Sequence, residues 1–514
     1  MQARGIRLLP ALLTVGSWTM MSRVLGLARD VIMAALLGAG PVAQAFLIAF
    51  SLPNMFRRFF AEGAFNLAFV PMFAKKLERG EDAQGFARDA LSGLAGVLIV
   101  FTLAGQLVMP WLVLAMASGF LGDERFDLAV LYGRIAFPYI LFISITALLS
   151  GALNATGRFA LAAAAPILMN LVMIGFLVTG WLVRGDIGLW QIWSVPVAGV
   201  AQLALVWWGA ARAGLVLRPH RPRLTPELRR LARIMAPAVL AGGVVQINLL
   251  VGRQVGSFFD GAVAWLSYAD RLYQLPLGVV GAAIGVVLLP DLARRLGAGD
   301  GPGGRDAVNR AAEFTLALTL PAAAALMLIP GPIVSVLFER GAFGPADTAA
   351  TALAVAVYGA GLPAFVLQKV VSPLYYARHD TRTPFRFAVH AMIVNAAVAV
   401  GLAPVLGWIA AALGTTVAGW VMLVQLWRGA RPMGEAAEPD ARLRRALPRI
   451  MAACVAMGAA LLAARFGLAG WLAAPGLRYP ALGLLVAAGL ASYAGAVLAF
   501  GGLRPSDLRA ALRR

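Results

Sequence analysis

Long unbroken stretches of apolar residues, recurring along nearly the whole chain, constrain this sequence more than any other feature. Each holds roughly 20 residues or more, the length a helix needs to cross the hydrocarbon core of a bilayer. In lipid every backbone amide must be satisfied internally, by a helix or by a closed barrel. A barrel would show short segments of alternating polarity. The stretches here are continuous and therefore predict helices. Composition agrees, with 61% of the 514 residues hydrophobic, 13% charged and a mean hydropathy of +0.80. A soluble chain of this length could not cover its surface with so few polar groups.

Fourteen helices are predicted, near 6–37, 42–73, 90–118, 128–153, 160–182, 189–211, 231–258, 262–290, 311–337, 348–376, 385–404, 408–427, 447–467 and 480–502. The fold class is an all-α polytopic membrane protein. The first stretch reads as a span and not as a cleavable leader, because it is long and lacks a small-residue cleavage site. The net charge of +20 would suggest nucleic acid in a soluble chain. Here the cations lie in the gaps between apolar stretches, so no nucleic-acid partner is expected. With the N-terminus inside, the cytoplasmic gaps hold 31 of the 44 Lys and Arg residues. The positive-inside rule then puts both termini in the cytoplasm.

The sequence repeats weakly at an offset of roughly 220–225 residues. Leu52-Pro53 corresponds to Leu275-Pro276, Pro110 to Pro330, Pro138 to Pro363 and Asn170 to Asn395. Six helices separate the copies, an even number, so both copies share one orientation. This predicts two parallel six-helix lobes, 1–213 and 214–428, with a substrate site between them as in transporters. The remainder, 429–514, reads as a charged linker and a two-helix appendage.

Charges inside the spans are the candidate site. Helix 1 carries Arg23, Arg29 and Asp30; helix 2 carries Arg57, Arg58 and Glu62; helix 7 carries Arg253; helix 8 carries Asp270 and Arg271; helix 10 carries Lys369. Each charge at mid-bilayer costs at least about 2.5–3.5 kcal/mol on insertion scales, so it should face protein or water. Arg23 and Asp30, seven apart, share a helix face, and Gly26 between them permits a bend that would bring Arg29 round. Asn54, Arg58 and Glu62, spaced by four, form a polar stripe. Pro53 and Pro276 should kink helices 2 and 8 beside these charges. Some of the charges can be structural ion pairs, such as Arg58 with Glu62. Cations still outnumber anions, and surplus arginine suits a phosphate-rich ligand, which guanidinium grips in bidentate fashion.

Other chemistry is not supported. The lone cysteine, Cys454, excludes an intramolecular disulfide, and three scattered histidines argue against a metal site. No phosphate-binding loop ends in Lys-Ser/Thr, so neither ATP hydrolysis nor another enzymatic activity is expected. Gly297–Gly304 reads as a flexible loop.

The segments SRVLGLARD (Ser22–Asp30), FSLPNMFRRFFAEGAFNLAFVP (Phe50–Pro71), YADRLYQLPLGVVG (Tyr268–Gly281) and SPLYYARHDTRTP (Ser372–Pro384) resemble the MurJ/MviN family. That family lies within the multidrug, oligosaccharidyl-lipid and polysaccharide exporter superfamily. The resemblance implies a bacterial inner-membrane flippase for lipid II, the undecaprenyl-pyrophosphate-linked peptidoglycan precursor. It implies functional cations at Arg23, Arg29, Arg57 and Arg271, with Asp30 beside them. Asn54, Arg58 and Glu62 join the substrate-binding set from their placement, with Ser22, Asp270 and Arg253 as supporting positions. The last two helices are implied to form a groove for the polyprenyl tail. Many relatives carry an aspartate where this chain has Gln44, and the absence of a mid-helix carboxylate in helices 7 and 11 argues against a sodium site.

The expected mechanism is alternating access from the cytoplasmic to the periplasmic leaflet, without a cofactor, coupled to membrane potential or an ion gradient. Expected partners are lipid II, membrane lipids and cell-wall synthesis proteins. Alternatives are a flippase for another polyprenyl-linked saccharide, a multidrug antiporter, or a non-transporting scaffold. An antiporter would call for twelve helices and an acidic cavity.

Overall fold

The structure, a computed structural model, describes residues 8–57 and 64–502; the side chains of 8–15, 64–67, 236–245, 247–248 and 279–290 fall outside that description. The described chain is helical apart from turns, the irregular connection 215–225 and one isolated bridge between Arg340 and Phe343. It divides into two compact units, 1–264 with 340–343, and 265–339 with 344–514.

The first unit contains α1 (Leu8–Leu37), α2 (Pro41–Arg57), α3 (Ala64–Glu78), α4 (Ala83–Leu107), α5 (Met109–Met116), α6 (Glu124–Ala136), α7 (Tyr139–Ala155), α8 (Ala160–Leu182), α9 (Ile187–Arg212) and α10 (Pro226–Ser257). The second contains most of α11 (Ala262–Gly297), then α12 (Gly301–Leu328), α13 (Pro330–Phe338), α14 (Pro345–Tyr376), α15 (Arg382–Leu406), α16 (Ile409–Ala430), α17 (Ala441–Gly467), α18 (Ala469–Ala473) and α19 (Arg478–Ala499). Over the described residues each predicted segment coincides with one helix or with two; 6–7 of the first segment and 58–63 of the second lie outside them. Ten helical runs among the described residues are long and apolar enough to cross a membrane by length and composition.

The breaks are local. Pro110 stands in the first turn of α5 after the stop at Val108, and Pro330 opens α13 after the stop at Ile329. Proline lacks the amide that would continue the preceding helix. Pro138 likewise separates α6 from α7. Acidic residues are few, and several of them cap helices. Asp82, Asp123, Asp186, Asp300 and Asp440 each accept a backbone N–H in the first turn of α4, α6, α9, α12 and α17. A carboxylate there satisfies an orphan amide and meets the positive end of the helix dipole.

These caps correct one expectation. Gly297–Gly304 is not a loop of that length. α11 runs to Gly297 and α12 starts at Gly301, because Asp300 caps α12 and Gly299 takes the left-handed turn at φ 74°.

In the first unit Phe69, Phe73 and Phe86 stack at centroid separations of 5.6 Å within a core that spans α3, α4, α7 and α9. In the second unit the appended helices pack on α12. Ala317 meets Ile450, Ala453 and Val497, and the Tyr493 hydroxyl donates to the Ala317 carbonyl at 2.6 Å. The linker is held as well. Asn309 donates to the Glu438 carbonyl at 2.9 Å and accepts the Asp440 N–H at 3.0 Å, while buried Glu313 pairs with Arg310 and Arg442. Large apolar side chains such as Val100, Leu107 and Trp111 lie on the outside, as a chain solvated by lipid requires.

Candidate functional site

α1 runs unbroken through Gly26, and the long side chain of Arg29 reaches across to α8. Arg29 and Asp30 are both buried, 6% and 5% exposed. The Arg29 Nε and Nη2 donate to one Asp30 oxygen at 2.9 and 2.6 Å. Nη1 reaches α8, donating to the Asn170 oxygen at 3.2 Å and to the Met173 sulfur at 3.4 Å. The guanidinium carbon lies 5.8 Å from the Phe50 ring centroid of α2. Asn170 in turn donates to the Ser22 carbonyl at 3.1 Å. Ser22, Arg29, Asp30 and Asn170 thus form one polar cluster joining α1 to α8. Its charge is locally balanced, because a buried carboxylate partners a buried guanidinium.

Further along α2, Arg57 is half-buried and its Nε donates to the Asn54 oxygen at 3.3 Å. Asn54 also donates to the Phe50 carbonyl at 2.8 Å. Arg58 and Glu62 lie outside the described residues. Arg23 is half-buried on α1 and Arg253 half-buried on α10. In the second unit Asp270 accepts from Gln274 one turn along α11, and Arg271 beside it is half-buried. Lys369 is exposed on α14.

A second buried arginine, Arg125, falls in the gap between the predicted spans 90–118 and 128–153. Arg125 is 6% exposed. It pairs with Asp123 at 2.5 Å and Asp260 at 3.1 Å, donates to the Gln44 oxygen at 3.4 Å, and lies 4.6 Å over the Phe120 ring. The guanidinium holds the Asp123 carboxyl below its usual range. Gln44 is a buried neutral acceptor, 2% exposed. Nearby, Ser118 accepts from Gln254, and the Gly119 N–H donates to Ser257, which ties this turn to the end of α10. A Cβ on Gly119 would lie 2.5 Å from the Phe258 amide nitrogen, so the two backbones are in direct contact. An arginine two residues after an aspartate cap was the available signal for this cluster; its burial was not legible.

The polar groups of α1, α2 and α8 can do one kind of chemistry. Beyond the Asp30 pair, Arg29 Nη1 rests on a neutral amide and a thioether, and Arg57 Nε on a neutral amide, donors of the kind that suit a phosphate oxygen.

Comparison with known proteins fits that chemistry. The sequence matches the family profile described as "Lipid II flippase MurJ" over residues 33–473. A probable lipid II flippase MurJ of Rhizobium tropici is 48% identical, covering 81% of this chain and 79% of that protein. Another, of Rhizobium meliloti (strain 1021), is 44% identical over 98% of this chain and 95% of its own length. Among solved structures, a lipid II flippase MurJ in an inward closed conformation superposes with a TM-score of 0.78. It covers 98% of this chain and 100% of the other at 23% identity, a likeness of fold.

Proposed function

This chain belongs to the MurJ family of lipid II flippases, and from that membership we propose that it moves lipid II from the cytoplasmic to the periplasmic leaflet. It is a multi-pass protein of the bacterial inner membrane and a transporter, not an enzyme. The observation that carries the reading is the match over most of the chain, together with arginines in apolar helices that exceed their acidic partners. Seven cations in the spans stand against Asp30, Glu62 and Asp270. A pyrophosphate is the natural balancing anion.

In this reading Arg23, Arg29, Arg57 and Arg271 meet the phosphates during the cycle, with Arg58 and Glu62 beside them. Asn54 orients Arg57, and Asp30 and Ser22 keep Arg29 in place through the hydrogen bonds described above. Asp270 and Arg253 act in support. The two six-helix lobes, 1–213 and 214–428, exchange access, and α17 and α19 seat the polyprenyl tail. Both termini face the cytoplasm, as the distribution of Lys and Arg requires. Membrane potential acts on such a cation-rich carrier at about 2.3 kcal/mol per charge per 100 mV. Cell-wall synthesis proteins are candidate partners at the basic cytoplasmic segments.

Depletion of the protein tests the reading. Lipid II should accumulate in the cytoplasmic leaflet, measured by its accessibility to a probe added on either side of the membrane. Accumulation of a different polyprenyl-linked saccharide, with lipid II unchanged, would reassign the substrate.

A further inference from the structure

Outside the polar clusters, Arg134 occupies an unusual position. It lies well inside the run Glu124–Ala155, one of those apolar enough to cross a membrane, and its side chain is exposed. Among the described residues its guanidinium meets no carboxylate, no acceptor and no ring; only its backbone carbonyl is engaged, by Gln106 Nε2 at 2.8 Å. An unpaired guanidinium facing hydrocarbon is costly and draws an anion or the interface toward it.

The surface beside it is hollow. A cleft of about 680 Å³ is lined by Arg134, Pro138, Phe142, Trp193, Pro196 and Val200, with smaller apolar neighbours. That volume lies within the roughly 300–1,000 Å³ usual for ligand sites. A proline lines each side of it: Pro138 separates α6 from α7, and Pro196, inside α9, removes one backbone donor from that helix. Trp193 and Val200 are 53% and 51% exposed, so the cleft opens sideways from the unit. In a bilayer that opening faces lipid.

We propose that this cleft binds a glycerophospholipid, with one acyl chain along Pro138, Phe142 and Val200 and its phosphate on Arg134. Arg134 and Trp193 lie nearer the Glu124 and Ile187 ends of the runs Glu124–Ala155 and Ile187–Arg212 than Phe142 and Val200 do, which puts the headgroup end on the side of the 117–123 and 183–186 turns. In the topology proposed above this is the periplasmic leaflet, although the site itself holds for either orientation. The planar guanidinium takes a phosphodiester in bidentate fashion, and the tryptophan is suited to the headgroup boundary. A polyprenyl pyrophosphate shares the pattern of phosphate over apolar chain, but the single arginine and short cleft favour a singly charged phosphodiester.

The full-length protein in detergent micelles is titrated with phosphatidylglycerol carrying brominated acyl chains, which quench tryptophan on contact. The Trp193 signal is the difference between wild type and Trp193→Phe. Saturable quenching of that signal is expected, weakened at least tenfold in Arg134→Gln and abolished in Ala201→Phe, which fills the cleft. Thermal unfolding of both variants checks that they are folded. Unbrominated polyprenyl pyrophosphate at equal concentration should leave the quenching in place. The same midpoint in wild type and Arg134→Gln overturns the proposal. Full displacement by the polyprenyl pyrophosphate overturns it as well, and gives the cleft to the transported lipid. Neither readout involves transport, so failure here is distinct from failure of the flippase reading.

Discussion

Arg29 and Arg125 lie in the same unit, are equally buried at 6% exposure, and each pairs with a carboxylate close in sequence. They differ in where the partner charge sits. Asp30 has a side chain only 8% exposed, whereas Asp123 and Asp260 are 39% and 94% exposed. Arg125 is therefore a cation pinned between acids that already touch water. Arg29 belongs to a pair that is shut away from water and neutral as a whole. The remaining donors differ too. Arg29 Nη1 rests on a neutral amide and a thioether at 3.2 and 3.4 Å, a weak arrangement that a phosphate can replace while Asp30 keeps the side chain in place. Burial of the arginine alone does not distinguish a fastening from a site; the solvent access of its partner and the strength of its spare acceptors do.

The largest effect expected from this contrast is at Arg29. Arg29→Ala removes the guanidinium paired with the buried Asp30, which should cost about 3–5 kcal/mol. Arg125→Ala should cost less, about 1–2 kcal/mol, because its acids can rehydrate. Thermal unfolding in one detergent compares the two, and equal losses would break the distinction. The double variant Arg29→Ala/Asp30→Ala removes both charges and should recover most of the stability. If that stable double variant also transports lipid II normally, Arg29 is only a fastening and its assignment to the substrate fails.

Arg57 sharpens the same point from the other side. It is half-buried, and its Nε donates to the neutral Asn54 oxygen at 3.3 Å. Loss of the Asn54 hydrogen bond in Arg57→Ala should cost about 0.5–1.5 kcal/mol of stability. Transport should fall by about tenfold to a hundredfold, the equivalent of a hydrogen bond to a charged group at about 1.5–3 kcal/mol. Arg57→Lys should retain part of the rate, since charge persists and the planar fork is lost. Complementation measured beside membrane protein levels checks this. Full growth with Arg57→Ala at normal levels would remove Arg57 from the site.

What the sequence made legible follows the same division. Apolar runs summed over 20 residues locate the described α-helices other than the five-residue α18, because the bilayer enforces them. Single-residue breaks at Val108 and Ile329 escape, since both residues are themselves apolar and leave the sum unchanged. Spacing pairs Asp30 with the face of Arg23 because neighbours on a helix do not face each other. The structure instead folds the long Arg29 side chain back onto Asp30. Asn170 is visible in the sequence only as a repeat marker, and its bond to Arg29 crosses 141 positions. The burial of Arg125 depends on Phe120 and Gln44, a tertiary arrangement without local periodicity.

The smallest expected effect isolates the ionic part of the Arg125 cluster. Asp123 does two things: it caps α6 through the Arg125 N–H at 2.7 Å, and it pairs with the Arg125 guanidinium. Asp123→Asn keeps the cap, because Asn and Asp are about equally good there, and removes only the charge. Since Asp123 is more than a third exposed, the pair should contribute no more than about 1 kcal/mol. Its sign with pH is fixed by the direction of the shift. Hydrogen bonding to Arg125 lowers the carboxyl below its reference value of 3.8. A lowered folded value means the contribution is complete above that reference and is lost as pH falls through the folded value. The melting temperature of wild type should therefore exceed that of Asp123→Asn by a small constant margin from pH 7 to about pH 5, and the margin should close only below 3.8. A margin that widens on acidification would mean that Asp123 is protonated in the folded protein and that Arg125 is held by Asp260 and Gln44 alone.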